Sequence, residues 1–287
     1  MVDVVHAHWW IPGGTAAWLA HRRRSRPYVV TLHGTDVRML GHSDLVRSVA
    51  RRVLCKAAAV TAVSSYLAET VGSALGLPVE SVMVQPMPAD LVRFKRKSQG
   101  GGGVVTVGRL VPQKRIDVIL EAVARLQRQG RRIPLTIIGE GVLREALEEH
   151  AARLGIAGTT RFLGEVEPTA LAGAIGNADV FAFTAQAEGL GLAAAEAFML
   201  GIPVVATEGG GGVKDIVPTT GAGRVVPNAD PEAFASGIAE LMDDPDARQS
   251  AVEEGERLRE RFDPELVAER FEGLYLMVSA RRTLAGA

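Results

Sequence analysis

Short apolar runs alternate with amphipathic segments along the whole of this 287-residue chain. The runs have the length of buried strands, and the segments between them have the apolar spacing of helices. Such an alternation predicts parallel sheets covered by helices on both faces. In the first part of the chain it predicts strands at Val2–His6, Tyr28–Leu32, Ala58–Ala62 and Val82–Gln85, and helices over Thr15–Arg23, Ser43–Lys56 and from the Ser64–Ser65 caps to Leu75.

A charged and glycine-rich stretch, KRKSQGGGG at 95–103, precedes a second alternating pattern. Such a composition is typical of a linker between domains. We therefore predict a first domain over 1–94, a second over 104–263, and a C-terminal helix at 264–287 that packs back on the first. The second pattern predicts strands at Val104–Val107, Leu135–Ile138, Thr160–Leu163, Asp179–Phe183 and Gly223–Val226, and one more strand that ends at Val205. It predicts helices at Ile116–Gln129, Leu143–Leu154, Pro168–Gly176, Val213–Val217, 231–242, 246–261 and 264–280.

The composition is that of a globular protein, with 47% hydrophobic and 23% charged residues. No run approaches the ~18 to 20 apolar residues of a membrane span, and MVDVVHAHWW lacks the features of a secretory signal. The only cysteine, Cys55, excludes an internal disulfide and suits a reducing compartment. We expect Cys55 to be a small buried hydrophobic residue.

Charge is spread unevenly. Residues 1–99 carry 13 Lys and Arg against 6 Asp and Glu, whereas residues 100–287 carry 19 against 27. Solvated helix faces explain the basic excess, and contact with an anionic membrane surface or acceptor is the alternative. Nucleic acid is disfavoured because aromatic residues are only 5% of the chain and none interleave the basic runs. The basic residues include Arg22, Arg23, Arg24, Arg26, Arg51, Arg52 and Lys56.

The stretch FTAQAEGLGLAAAEAFMLGIPVV at 183–205 is the richest in candidate chemistry. A predicted strand leads through Glu188 and two close glycines into a helix that carries Glu196. The first turn of a helix has unpaired N–H groups and a positive dipole end, which suit a phosphate. The stretch is either a buried strand–helix unit with two solvated acids or part of a phosphate site.

Several motifs together resemble the retaining, metal-independent glycosyltransferases of family 4, which have the GT-B fold. These motifs are VGRLVPQK (107–114), EGLGLAAAE (188–196), GEGVLREAL (139–147), HGTD (33–36) and HAHWW (6–10). The resemblance implies an α/β protein with two Rossmann-like, doubly wound parallel-sheet domains facing a cleft. Family members usually have a longer segment before the equivalent of Val2–His6, so we expect a truncated first domain with an exposed sheet edge.

The resemblance implies a nucleotide-diphosphate-sugar donor, UDP- or GDP-linked, bound mainly by the second domain. Arg109 and Lys114 would hold the diphosphate, Glu196 the ribose, and Glu188 the sugar near the reacting centre. The implied catalytic residues are thus Glu188, His33, Arg109 and Lys114. The remaining implied donor-binding residues are Gly139, Leu163, Gly189, Leu190, Gly191 and Leu192.

The resemblance places His8, Trp9, His33 and Asp36 on the acceptor side, where the acceptor is a glycan, a lipid-linked molecule or a small molecule. It implies no cofactor besides the substrate and no metal site. Packing under the first helix is the alternative for Trp9 and Trp10. We expect a cytoplasmic protein with peripheral contact at the inner membrane face, and an oligomer or a partner that covers the sheet edge.

Three other functions stay open. A chain with an incomplete first domain would bind nucleotide without transfer, as a fragment or as half of a split enzyme. A nicotinamide-dependent dehydrogenase is disfavoured because no predicted strand is followed by G-x-G-x-x-G. A sugar phosphorylase or nucleotide-sugar epimerase would share the architecture.

Overall fold

The computed structural model describes residues 2–92, 94, 100–227 and 230–285. The chain forms two compact units, Met1–Pro88 with Arg261–Ala287, and Ala89–Glu260. The predicted linker 95–103 begins later than this division, and residues 95–99 lie outside the described residues. The segment before it belongs to the second unit because Phe94 is buried and Arg259 donates a hydrogen bond to the carbonyl of Leu91 (3.2 Å).

The first unit is built on one parallel sheet. Its strands are β1 (Val5–His8), β2 (Tyr28–Leu32), β3 (Ala59–Ala62) and β4 (Val82–Val84), in the spatial order β1-β2-β3-β4. All five residues of β2 are buried, as expected of an inner parallel strand. Its helices are α1 (Thr15–Arg24), α2 (Thr35–Arg38), α3 (Asp44–Cys55) and α4 (Ser65–Leu75).

Serine side chains define two helix starts in this unit. Ser43 Oγ accepts a hydrogen bond from the N–H of Val46, and Ser64 Oγ accepts one from the N–H of Leu67. Each satisfies an N–H that has no partner within the first helical turn. The predicted Ser64 cap is therefore present.

The first strand was predicted too early. β1 begins at Val5, pairs from Val5↔Tyr28 to His8↔Thr31, and so includes both histidines of HAHWW. Trp9 has a left-handed φ of 64° and opens a π-type turn over Trp9–Gly14. The short helix α2 was also not predicted, since four residues are too few to show a helical period.

The second unit contains a six-stranded parallel sheet. Its strands are β5 (Val104–Val107), β6 (Leu135–Ile138), β7 (Thr160–Gly164), β8 (Val180–Phe183), β9 (Val204–Thr207) and β10 (Gly223–Val226). The spatial order is β10-β9-β8-β5-β6-β7. The order reverses direction between β8 and β5, which in open α/β sheets marks the edge where ligands bind.

Helices cover this sheet. They are α5 (Ile116–Arg128), α6 (Arg144–Arg153), α7 (Pro168–Gly176), α8 (Leu192–Met199), α9 (Pro231–Asp243) and α10 (Ala247–Arg261). The core joins α5 to the strands through residues such as Ile119, Leu120, Val123 and Ile137, all fully buried. The helix predicted at Val213–Val217 is a 3-10 turn, Gly212–Asp215.

The last helix, α11 (Pro264–Ala285), belongs to the first unit. Val267, Phe271, Leu274 and Val278 lie on one side of it and form a buried cluster with Val29 of β2. Their spacing of three to four residues is that of one helix face. Among the described residues, no helix has both the length and the apolar character to cross a membrane.

Candidate active site

Two loops of the second unit lie in main-chain contact at the ends of β5 and β6. The N–H of Gly108 donates to the carbonyl of Ile138, and the N–H of Leu110 donates to that of Glu140. A Cβ on Gly139 would lie 2.1 Å from the Gly108 carbonyl oxygen, and Gly139 has a φ of 129°. Glycine is therefore required for the first loop of the site, 108–114, to rest on the second.

The loop 108–114 is also bonded to the end of β8. Thr184 Oγ1 donates to the carbonyl of Lys114 at 2.7 Å. The N–H of Gln186 donates to the carbonyl of Gln113 at 2.9 Å, and Gln113 Nε2 donates back to the carbonyl of Gln186 at 2.9 Å. These bonds bring a residue of the first motif, Lys114, to the start of the second motif.

Lys114 and Glu188 form an ion pair. Lys114 Nζ lies 2.6 Å from Glu188 Oε2, and the side chains are 17% and 29% exposed. Arg109 is exposed on the same loop, and its side chain forms no hydrogen bond or ion pair within the described residues. The loop thus has one cation held by a carboxylate and one available to an anion.

A glycine loop supports the turn before α8. The N–H of Gly212 donates to the carbonyl of Glu188, and that of Ala187 donates to the carbonyl of Gly209. A Cβ on Gly211 would lie 2.4 Å from the Glu188 carbonyl oxygen, and one on Gly212 would lie 2.2 Å from that of Gly189. This support cannot be predicted from the sequence, because a packing requirement between two distant turns leaves no local pattern.

The other predicted donor-binding residues lie around this turn. Gly191, with a φ of 85°, is the residue before α8, and Leu192 begins the helix with 38% of its surface exposed. Glu196 is half-buried on α8. Gly189 is buried and Leu190 half-buried, and Leu163 is 45% exposed on β7.

The first unit contains a separate cluster of histidines. His8 Nδ1 and His33 Nε2 share a hydrogen bond of 2.8 Å, and the rings of Trp9 and His33 pack in a T-shaped arrangement with centroids 5.9 Å apart. His8 ends β1 and His33 follows β2, so both lie at the carboxyl end of the sheet. Three predicted acceptor-side residues are therefore together.

His6 connects this cluster to the C-terminal helix. Its Nδ1 shares a hydrogen bond with the hydroxyl of Tyr275 (2.6 Å), and its Nε2 with that of Thr31 (2.7 Å). Burial, followed by the nearby His8 and His33, lowers the pKa of His6 to about 4. Burial and His8 also lower the pKa of His33, while Asp36 opposes that shift. His6 is thus neutral near pH 7.

Asp36 is buried, with 2% of its surface exposed. Its Oδ1 accepts hydrogen bonds from the N–H groups of His33 (3.1 Å) and Gly34 (3.0 Å), and its Oδ2 from that of Trp10 (3.2 Å). The carboxylate therefore holds the loop that carries His33. The expectation that Asp36 lies on the acceptor side stays a prediction, and these bonds show in addition that its carboxylate holds the loop in place.

No group of three or more His, Cys, Asp or Glu residues that would suit a metal ion occurs in the described part of the chain. Asp244 and Asp246, at the turn between α9 and α10, have the Asp-x-Asp spacing of a pair of metal ligands. The Asp244 carboxylate instead accepts a hydrogen bond from the N–H of Asp246 (2.9 Å).

Models of two related families match nearly the whole chain. Residues 90–258 match glycosyl transferases group 1, and residues 1–93 match glycosyltransferase family 4. The chain belongs to the glycosyl transferases group 1. The resemblance drawn from its motifs is confirmed by these matches.

Curated relatives of this glycosyltransferase-family chain include the GDP-mannose-dependent α-(1-6)-phosphatidylinositol monomannoside mannosyltransferase of Mycolicibacterium smegmatis. It is 32% identical over 248 residues, which cover 79% of this chain and 64% of that protein. Glycogen synthase of Mycobacterium tuberculosis is 28% identical over 285 residues, covering 96% of this chain and 68% of that one. The chain thus spans about two thirds of the length of these relatives.

Solved structures confirm the fold. The Anabaena protein HepE in complex with UDP has a TM-score of 0.82 at 20% identity, covering 95% of this chain and 78% of that one. Sucrose-phosphate synthase from Thermosynechococcus elongatus also has a TM-score of 0.82, at 22% identity, covering 99% and 74%. The two parallel-sheet α/β domains are of the GT-B type, as the motifs implied.

Proposed function

We propose that this chain is a retaining, metal-independent hexosyltransferase that moves a sugar from a nucleotide-diphosphate sugar to an acceptor hydroxyl. The observation that carries the proposal is the Lys114–Glu188 pair at the carboxyl edge of the second sheet, beside the first turn of α8. A cation, a carboxylate and a helix N-terminus within one site suit a ligand that carries a diphosphate at one end and hydroxyls at the other.

In this proposal the diphosphate binds Arg109, Lys114 and the N–H groups of 189–191. Negative charge grows on the leaving phosphate as the bond to the anomeric carbon breaks, and the two cations and the dipole of α8 offset that charge. Lys114 then exchanges its contact with Glu188 for one with phosphate. The released Glu188 accepts a hydrogen bond from a sugar hydroxyl, and Glu196 accepts those of the ribose.

The acceptor oxygen forms the new bond to the anomeric carbon on the face from which the nucleoside diphosphate leaves. Its proton passes to the departing phosphate oxygen, so the configuration is retained and no protein nucleophile is required. His8, Trp9 and His33 contribute to binding of acceptor and sugar. Gly139 and Leu163 lie near the nucleotide base.

The names of the relatives suggest donors for the first assay. One relative is named as GDP-mannose-dependent, and HepE was solved with UDP and with UDP-glucose. We propose a UDP- or GDP-sugar donor, and an acceptor that is a glycan, a lipid-linked molecule or a small molecule. The protein would act in the cytoplasm, with peripheral membrane contact through its basic first unit. It would form an oligomer or bind a partner on the β1 edge.

The test combines donor binding with product analysis. Titrations with UDP and GDP identify the base, and donor cleavage with UDP-glucose and GDP-mannose is then followed with EDTA or with added Mg²⁺. The anomeric configuration of the product is determined by NMR. Retention with full activity in EDTA is expected. An inverted product or a metal requirement contradicts the mechanism, and tight nucleotide binding without any turnover favours the impaired-fragment alternative.

A further inference from the structure

A basic groove lies between α1 and α3 of the first unit. It has a volume of about 790 Å³, and the residues around it include Arg22, Arg51, Arg52, Lys56, Trp18 and Cys55. Small-molecule sites commonly have volumes of about 300–1,000 Å³. The groove therefore has room for a small ligand.

The positive charge of this groove is not neutralised by any carboxylate in the described part of the chain. None of its three arginines or Lys56 forms an ion pair with a carboxylate within the described residues. Helix α1 contains no acidic residue, and the one acid of α3, Asp44 at its start, pairs with Arg47. Arg51 Nε donates to the carbonyl of Leu75 (3.0 Å), a neutral acceptor that leaves the positive charge of Arg51 unpaired. All four positive charges can therefore attract an anion from outside.

The dipoles of α1 and α3 offset only part of the positive charge of these four side chains. The groove lies at the C-terminal parts of α1 and α3, where each helix end carries roughly −0.5 of an elementary charge. About one cation would therefore offset both ends, and four are present. The net field in the groove is positive, with some three charges uncompensated by the helix ends.

Neutral groups of the groove also suit a phosphate. Ser25 and Ser48 line it, and neither hydroxyl has a hydrogen-bond partner within the described residues. Arg22 lies over the ring of Trp18, with its guanidinium carbon 5.4 Å from the ring centroid. A guanidinium held in this way offers a flat set of donors, which matches phosphate oxygens.

The groove is distant from the histidine cluster along the sheet. Helices α1 and α3 end just before β2 and β3 begin, so the groove lies at the amino edge of the sheet. His8 and His33 lie at the opposite, carboxyl edge. The groove is therefore separate from the residues of the proposed transfer reaction.

We propose that this groove is a second binding site, for a phosphate-bearing anion that is either a free small molecule or the headgroup of an anionic lipid. The proposal stands whether or not the chain has transferase activity. Both ligands carry a phosphate group, which would bind Arg22, Arg51, Arg52 and Lys56. The two sources differ in whether the phosphate must be part of a membrane.

The reactivity of the Cys55 thiol can report whether the groove is occupied, because Cys55 is the only cysteine in the chain and is exposed at the groove. The rate of Cys55 alkylation by iodoacetamide is measured with inorganic phosphate and with sodium chloride of equal ionic strength. Phosphate at ten times its dissociation constant should slow the reaction roughly tenfold, as occupancy reaches about 90%. Phosphate bound elsewhere on the protein leaves the rate unchanged.

The groove variant is Arg52→Gln with Lys56→Gln, and the matched control is Arg23→Gln with Arg24→Gln, which removes two nearby cations that do not line the groove. Each rate is compared with and without phosphate in the same variant, so an altered thiol reactivity cancels. The groove variant should lose the slowing, and the control should keep it. Arg22→Gln serves as a second groove variant if the double change unfolds the protein.

A parallel experiment replaces phosphate by vesicles of phosphatidylglycerol and phosphatidylcholine, with phosphatidylcholine alone as control. Slowing by inorganic phosphate assigns a free anion as a ligand, and slowing by anionic vesicles alone assigns a lipid headgroup. The proposal is overturned if neither slows the reaction, or if the groove variant is slowed as much as wild type.

Discussion

Lys114 Nζ lies 2.6 Å from Glu188 Oε2, although the two residues are 74 positions apart in the chain. The contact depends on hydrogen bonds that Thr184 Oγ1 and the N–H of Gln186, just after β8, donate to the carbonyls of Lys114 and Gln113. The Glu188 carboxylate therefore pairs with the Lys114 ammonium group, which in the proposed reaction binds phosphate. Donor binding and release of Glu188 are linked by this exchange.

Removing the cation should weaken nucleotide binding. For Lys114→Gln we expect a loss of roughly 1.5–3 kcal/mol in UDP or GDP binding, the range of a hydrogen bond to a charged group. Isothermal titration measures the change directly. The control is Arg128→Gln, an exposed cation at the end of α5. Equal affinity of Lys114→Gln and wild type would rule out a role of Lys114 in phosphate binding.

Removing the negative charge of Glu188 should not weaken nucleotide binding. Glu188→Gln frees Lys114 from its partner, so nucleotide affinity should stay the same or rise. Turnover should fall by about 10²-fold or more, since a charged hydrogen-bond acceptor for the sugar is lost at the reacting centre. Glu145→Gln on the exposed face of α6 is the control. Unchanged turnover in Glu188→Gln would contradict the role of Glu188.

The glycine loop should tolerate no side chain at Gly212. A Cβ there would lie 2.2 Å from the carbonyl oxygen of Gly189, so Gly212→Ala must displace the turn before α8. We expect a lower unfolding free energy, by roughly 1–3 kcal/mol, and weaker donor binding. Gly158→Ala is the control, because its Cβ would meet no atom within 4 Å. Urea unfolding and nucleotide titration together show whether the turn has moved.

The histidine cluster should make the first unit sensitive to acid. The pKa of His6 is lowered from 6.5 to about 4 in the folded protein, so the unfolded chain binds the proton more readily. The contribution of neutral His6 to the free energy of unfolding is present above pH 6.5 and is lost as the pH falls from 6.5 towards 4. After allowance for the partial exposure of the ring, the loss is about 1–2 kcal/mol.

This loss is measured by urea unfolding at several pH values between 7.5 and 4.5. In His6→Gln, which has no titrating group at this position, the decline should be shallower. His42→Gln, at an exposed histidine, should keep the wild-type profile. The same slope in His6→Gln and wild type would contradict the assignment to His6.

Asp36 should matter for stability more than for acceptor contact. Asp36→Ala leaves three main-chain N–H groups without their carboxylate partner, and a buried unsatisfied donor costs roughly 1–3 kcal/mol. The free energy of unfolding should therefore fall by at least this amount, while acceptor KM changes only through the displaced His33 loop. Asp3→Ala, at an exposed acid, is the comparison. A normal stability with an altered acceptor KM would instead support a direct contact of Asp36 with the acceptor.

The sequence alone determined the order of the strands, the positions of most helices, and the family. Strand and helix patterns are local: the run Tyr28–Leu32 and the helical spacing over 116–128 carry their own signals in neighbouring residues. The motifs of 107–114 and 188–196 are also local, and together they were enough to identify the family and its fold.

Only the tertiary structure decided which of these residues meet. The pairing of Lys114 with Glu188, the support of Glu188 by Gly211, and the connection of His6 to Tyr275 each join segments far apart in the chain. Such contacts depend on strand order and on main-chain approach, which neither hydrophobic period nor charge reports. For the same reason the sequence did not show that Asp36 is buried and bonded to the His33 loop, and Cys55, which was expected in the core, proved exposed.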